Sequence, residues 1–551
     1  MPLNSILTKK ADNPLIITAN AKRLFQIIYR EKNKIEETSD EVPKINVSEV
    51  ISRMAFYYEK LRNIVEYREE HLLRKNAILR ILKRHIVIEA TIIELQARDI
   101  AKDLLIELIR AGYIPNNKIP ESRIGEIGEI IEKYLKLKNL SFTKLKDAKE
   151  KNNLIKWILA MAACEIEEKL NDDNLVKTIV NYMHEILVDR VRLQQGSLYQ
   201  KDKEIQIYLG IHRIYLKYDR DMTEFILLKY FIPDWSKVTA TEIEKLADNF
   251  TNLKQAIDEQ LDHPMAAQLG YIINRYTVFF TILKDAIEDD PVKLYESFNE
   301  DPKAFPRIIK KFCNQRYKEA GAKLRRAAVR SIIYIFLTKM ILVFILEVPV
   351  TFWFGETLNY TSLAINITFP PFLLFLIVLF TRVPSETNST KIIQGIESII
   401  FLEKQHREPY ELRRPIKRST NINIVFGLFY TITFFLSFGL IIYLLNKIQF
   451  NFVSIIIFLF FLTLISYFGI RIRRGARELI IIERKDDIFT FLADFFYIPI
   501  VAAGKWINEK FSRVNFFVFI LDFIIEAPFK IFVEIAEEWT KYVKERKEEI
   551  M

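Results

Sequence analysis

The chain has 551 residues, 80 Lys and Arg against 70 Asp and Glu for a net charge of +10, a hydrophobic fraction of 50% and only 14 glycines. That length allows several domains, and the shortage of glycine argues against glycine-rich phosphate loops, dinucleotide-binding turns and hairpin-rich sheets, leaving long helices. Two cysteines in unrelated contexts, Cys164 and Cys313, exclude a disulfide framework and a thiolate metal site and suit a reducing compartment.

The opening stretch, MPLNSILTKKADNPLII, has no apolar core of signal-peptide length, so the first 320 residues are expected to stay cytoplasmic. Residues 46–112 carry an apolar residue at every seventh position, from Ile51 through Tyr58, Val65, Leu72, Leu79 and Ile86 to Ile93 and Ile100. The companion positions begin as Met54 and Leu61 and then turn polar at Arg68 and Lys75. This suits a bundle seam or an irregular coiled coil, as one very long helix or two with a break. His71 and His85 flank the stripe about 21 Å apart along a helix axis, too far to share a metal, and read as packing residues.

Gly112, Pro115 and Pro120 break the pattern. Helices are expected over residues 121–138, 149–170, 174–194 and 202–231. Thr239 with Glu242, or Thr241 with Glu244, forms a capping box that opens another helix running to residue 262. Pro264 opens the next, and a further helix from Phe305 runs towards the first long apolar stretch. There is no alternating strand pattern of any length and no fixed repeat.

Four stretches, 331–354, 363–380, 424–445 and 450–470, are long and apolar enough to cross a hydrocarbon core of about 30 Å. Apolar residues cover every face of them, unlike the single stripe of a soluble helix. Lys318, Lys323, Arg325, Arg326 and Arg330 precede the first. The segment 382–421 holds Arg382, Lys391, Lys404, Arg407, Arg413, Arg414, Lys417 and Arg418, and Arg471, Arg473, Arg474 and Arg477 follow the fourth. The two other connections hold Lys447 alone. This bias places both termini and the 382–421 segment on the cytoplasmic side of the inner membrane.

Beyond 470, the stretches 488–503 and 515–533 are also apolar. In the second, Asp522, Glu526, Lys530 and Glu534 recur every fourth residue as one polar stripe. At about 2.5–3.5 kcal/mol each, central charges cancel the gain from a dozen apolar residues, so interfacial helices fit better than two more spans.

No GxxxxGK[ST], GxGxxG or GxSxG occurs, and His184–Glu185 lacks a second histidine because Val188 stands in its place. No catalytic, cofactor-binding or metal-ligating residue is assigned. The polar residues that stand out are Lys339 and Glu347 within the first span, since a charge inside the bilayer marks a site or a buried pair by default. Eight residues apart, they are not expected to touch. Lys339 either snorkels to the headgroups while Glu347 reaches the outer face, or pairs with Asp494, Asp522 or Glu526 from a C-terminal helix.

TKMILVFILEVP in the first span and FVFILDFIIEAPFK near the end resemble stretches of uncharacterised multi-pass membrane proteins from bacteria with reduced genomes, over residues 260–551. The resemblance implies a multi-pass membrane protein and brings no activity and no residue role.

The expected architecture is therefore all-α. A long-helix region (1–115) and a cytoplasmic helical domain (116–320) precede a four-span membrane region (321–470), and C-terminal amphipathic helices (471–551) follow. The expected role is a non-enzymatic scaffold, tether or assembly factor. Its partners would be anionic headgroups at Lys323, Arg325, Arg326, Arg330, Arg413, Arg414, Arg471, Arg473, Arg474 and Arg477, together with proteins or further copies of the chain. Nucleic acid is disfavoured, because the basic residues hug the spans. The alternatives are an oligomeric transporter or channel with Lys339 and Glu347 lining a polar path, and an insertase-like factor with Lys339 in a groove open to the cytoplasm.

Overall fold

The computed structural model describes residues 16–34, 43–47, most of 53–63, 70–88, 96–142, 147–171, 174–194, 198–300, 304–353, 359–381, 386–401, 409–412, 420–481 and 488–513, with scattered single residues elsewhere. These residues are almost entirely helical. They fall into two compact units, one made of residues 26–277 with 408–414 and 516–551, the other of residues 1–25, 278–407 and 415–515.

The first unit contains α2 (Glu70–Lys83), continued by a π turn over Arg84–Ile88, α3 (Ala97–Arg110), α4 (Ser122–Phe142), α5 (Ala148–Leu170) and α6 (Asn174–Arg190). After these come α7 (Lys203–Ile214), α8 (Arg220–Phe231), α9 (Ala240–Asp248) and α10 (Phe250–Leu261). The unit boundary falls inside α1 (Ala19–Lys34) and α11 (Ala266–Asp289). A three-residue strand, β1 (Val191–Leu193), pairs in parallel with β2 (Tyr410–Leu412).

The heptad stripe is not one rod. α2 and α3 pack against each other and against α5 and α4 respectively, so the chain reverses between them. Leu72, Ile86 and Ile100 are buried in the shared core with Leu104, Leu108 and Met161, and Leu79 packs on its edge. Ile51, Tyr58, Val65 and Ile93 lie outside the described residues. The polar break at Lys75 is also interior. Its Nζ is 2.7 Å from both Asp219 and Asp221, and the side chain is 1% exposed. A buried ammonium loses hydration and is tolerated because two carboxylates replace it.

The expected single helix over 202–231 is two helices. Lys217 adopts a left-handed φ of 56°, and Asp219 caps α8 by accepting from Met222 N–H at 3.1 Å. The helix expected from Thr239 to residue 262 is likewise divided, at Asn249. Its start is as expected, with Thr239 N–H donating to Glu242 Oε2 at 2.8 Å. His71 packs its ring 5.6 Å from Tyr218, and His85 is buried with its Nε2 3.9 Å from Glu107. Both are packing residues here.

In the second unit, α12 (Pro291–Glu300) precedes a continuous helical rod, Ala304–Trp353, built from α13 (Ala304–Leu342), a π turn (Val343–Glu347) and α14 (Val348–Trp353). Then come α15 (Tyr360–Leu379), α16 (Glu386–Ile400), α17 (Thr420–Lys447), α18 (Phe452–Arg477) and α19 (Ile488–Arg513). Among the described residues, four helices are long and apolar enough to cross a membrane: the rod, α15, α17 and α18. Large apolar side chains such as Phe344, Phe372, Phe429, Phe435 and Phe452 stand exposed on them, as they do on the helices of a membrane protein facing lipid. Pro370 and Pro371 sit inside α15 and do not interrupt it.

The rod, α15 and α18 pack mutually. α19 runs antiparallel along α18. Tyr497 donates to the Ser466 carbonyl at 3.2 Å, and about two turns later Gly504 meets Thr463 so closely that a Cβ there would lie 2.0 Å from its carbonyl oxygen. α19 also packs on α17. The stretch 488–503, expected to lie in the interface, packs along α18. Residues 515–533 lie outside the described residues.

Below the apolar region the rod is held by polar contacts. Arg316 grips Asp285 through two bonds of 2.5 and 2.6 Å, and Lys310 meets Glu386 at 2.8 Å. Asn388 donates to Tyr317 Oη and to the Leu479 carbonyl, each at 2.8 Å, and accepts from Ile481 N–H at 2.9 Å. One asparagine therefore ties the rod, α16 and the chain leaving α18.

Candidate functional site

The site lies where the rod, α15 and α18 meet. Four polar residues are enclosed there: Lys339 is 0% exposed, Glu347 1%, Asn366 0% and Ser454 3%. Glu347 Oε1 accepts from Asn366 Nδ2 at 2.8 Å and from Ser454 Oγ at 2.5 Å. Asn366 Nδ2 is shared with the Ser454 carbonyl at 3.3 Å. One carboxylate thus bonds to both neighbouring helices.

The π turn makes this geometry possible. Eight α-helical residues advance by about 800°, which would set Lys339 and Glu347 about 80° apart around the helix. Val348 N–H donates to the Val343 carbonyl, five residues back rather than four. One such widened turn acts as a single-residue insertion. The pair then behaves like residues seven apart, about 20° from a common line, and both side chains enter the same interface. Glu347 is the charged group that acts electrostatically on Lys339.

Lys339 does not snorkel. Its Nζ lies 4.1 Å from the centre of the Phe461 ring, and Phe461 itself belongs to an apolar cluster with Leu374 and Ile465. A cation over an aromatic face gains part of what it lost on leaving water. Three buried polar atoms of this site have no hydrogen-bond partner: Lys339 Nζ, Glu347 Oε2 and Asn366 Oδ1. Such groups are costly in an apolar interior.

From Glu347 towards the ends of the helices, polar side chains continue. Thr351, 1% exposed, lies one turn further along the rod, and its Oγ1 accepts from Asn451 Nδ2 at 3.2 Å. Asn451 caps α18 by accepting from Ser454 N–H at 2.7 Å. Asn359 caps α15 through Thr361 and Ser362 N–H and donates to the Gln449 carbonyl at 3.2 Å. In the other direction, the Phe461 ring covers the Lys339 ammonium.

Of the remaining residues singled out by sequence, Asp494 is exposed on α19, and Asp522 and Glu526 lie outside the described residues. Lys323, Arg325, Arg326, Arg330, Arg471 and Arg474 are exposed, Arg473 and Arg477 are half-buried, and Arg413 and Arg414 lie outside the described residues. Sequence reasoning missed Asn366, Ser454, Thr351 and Asn451. The signal for Asn366 was present, since it is an amide about two turns into a long apolar helix, and such residues hydrogen-bond across helices.

The first unit holds two more enclosed polar clusters. Glu165 accepts from Lys133 at 2.6 Å, from Tyr134 Oη at 2.8 Å and from Trp235 Nε1 at 2.8 Å. Burial pushes Tyr134 well above the usual phenol range and holds Lys133 below its ordinary value, the latter opposed by Glu165. Beside Lys75, burial pushes the Cys164 thiol well up. These groups are saturated by one another and close the helical core. The chain matches no protein-family model, and no curated protein and no solved structure is significantly similar to it.

Proposed function

We propose that this membrane protein is a scaffold or tether of the cytoplasmic membrane, with both termini and the 382–421 segment inside. The observation that carries the reading is the uninterrupted rod Ala304–Trp353. Its apolar half is bonded into the bundle through Glu347, and its polar half into α11, α16 and the end of α18 through Arg316, Lys310 and Tyr317. A helix held at both ends transmits position and force between the bilayer and whatever the helical part binds. The exposed Lys323, Arg325, Arg326, Arg330 and Arg474 suit a collar on anionic headgroups, at about 1 kcal/mol for each residue near the surface.

The test is reconstitution in liposomes beside cross-linking in native membranes. A scaffold gives discrete cross-linked protein partners and no solute flux; specific, saturable flux would refute it. A transporter reading is favoured by one observation, the three unpartnered polar atoms between the spans. Under it, Lys339→Cys reacts with a water-soluble thiol reagent in intact vesicles; under the scaffold reading it stays unlabelled.

A further inference from the structure

Within the bundle, the negative charge of Glu347 is not matched by a directly bonded positive one. Oε1 is saturated by Asn366 Nδ2 and Ser454 Oγ. Oε2 is buried and unpartnered, as is the neighbouring Asn366 Oδ1. Both are acceptors, and so is a carbonyl or hydroxyl oxygen of Ser454. The nearby ammonium, Lys339 Nζ, is turned onto the Phe461 ring and makes no hydrogen bond. Two buried oxygen acceptors thus lie on neighbouring side chains, and the ammonium of the rod bonds to neither.

From this juxtaposition we propose that Glu347, Asn366 and Ser454 form a binding site for one small monovalent cation of the alkali class, with the Lys339 ammonium as a tethered competitor for it. A carboxylate in a hydrocarbon interior needs one compensating positive charge. Three carriers can supply it: the Lys339 ammonium, a proton on Glu347, or a bare hard cation, for which carboxylate, amide and hydroxyl oxygens are the suitable ligands.

The surroundings leave the choice to these carriers. Residues 361–379 of α15 contain no Asp, Glu, Lys, Arg or His, and residues 452–470 of α18 contain none either, Tyr467 being the titratable side chain there. Thr351 and Asn451 extend the polar surface from Glu347 to the caps at Asn359 and Asn451, and the Phe461 ring covers the Lys339 ammonium. The proposal stands apart from the scaffold reading, and either can fail alone.

The experiment follows thermal unfolding of the full-length protein in detergent, in sodium, lithium, potassium or choline chloride at equal ionic strength, at pH 6 and pH 8.5. The proposal expects a saturable rise in Tm with sodium or lithium over choline, about 2 °C or more at a hundredfold excess over Kd, and weaker at pH 6 where protons compete. Lys339→Met should bind the ion on the order of tenfold more tightly, the effect of removing a charge within about 10 Å. The double variant Lys339→Met with Glu347→Gln removes both charges, so it keeps the fold and should respond to no cation. Equal Tm in all salts for both the wild type and Lys339→Met would overturn the proposal. So would a double variant that still responds to sodium. If pH moves Tm while the alkali salts do not, the site takes a proton only, and the alkali assignment is wrong.

Discussion

Replacing Lys75 by methionine tests whether the buried charges of the helical unit hold it closed. The substitution keeps the length of the side chain and leaves Asp219 and Asp221 facing each other without their shared ammonium. Removing one partner of a buried ion pair costs about 3–5 kcal/mol. Here Asp219 is 19% and Asp221 38% exposed, so water takes over part of the lost interaction, and about 2–3 kcal/mol is the reasoned figure. Cys164 reports the opening. It is fully buried, electrostatically coupled to Lys75, and its thiol is held well above its usual range by burial, so it reacts only when the core opens. In a Cys313→Ser background it is the sole thiol. Its labelling rate should rise about 30- to 150-fold in Lys75→Met, at tenfold per 1.4 kcal/mol. Adding Asp219→Asn and Asp221→Asn should restore slow labelling, because asparagine still caps α8 and no unpaired charge remains. A rate within about threefold of wild type for Lys75→Met would refute the argument.

Two further outcomes follow from the geometry. His212 is lowered to about 4 by burial, with Nδ1–H donating to the Tyr208 carbonyl at 2.9 Å. An unfolded histidine titrates near 6.5. Between these values the unfolded chain binds more protons, so stability present above pH 6.5 falls as pH drops towards 4, by up to about 3 kcal/mol. Denaturant titrations of wild type and His212→Phe should differ by this amount across that window and converge above it; equal slopes would contradict the burial. In the bundle, Gly504→Ala places a methyl 2.0 Å from the Thr463 carbonyl oxygen. It should cost about 1–3 kcal/mol by forcing α19 off α18. Gly427→Ala, with nothing within 4 Å, should leave detergent stability unchanged or raised in the same melting assay.

Which parts of this were legible in sequence depends on how local the cause is. The spans were visible, because 20 consecutive apolar residues leave no alternative to a lipid-facing or fully buried helix. The expected stretches overlap helices: 363–380 corresponds to Tyr360–Leu379, and 450–470 to Phe452–Arg477, which runs seven residues further. The Thr239 cap was legible for the same reason, since it involves residues three apart. The expected 202–231 helix is divided where Lys217 takes a left-handed backbone, and the helix from Thr239 at Asn249, whose φ is −105°; no periodicity reveals either break. The heptad stripe was read correctly as apolar and incorrectly as open to a single long helix, since its break depends on how α2 and α3 pack against α5 and α4.

The amino-acid sequence by itself determined that this chain is of the all-α class, that four of its helices are long and apolar enough to cross a membrane, and that Lys339 and Glu347 are anomalous within the first. These follow from composition and from spacing along one helix. Only the tertiary structure decided what the anomaly is. One π turn rotates two charges onto a common face, and Asn366 and Ser454 arrive from helices 19 and 107 residues away to bind one carboxylate oxygen. The other oxygen, an amide oxygen and an ammonium are left enclosed without bonds. Helical phase and interhelical contact are properties of three-dimensional packing, and the order of residues along the chain does not express them.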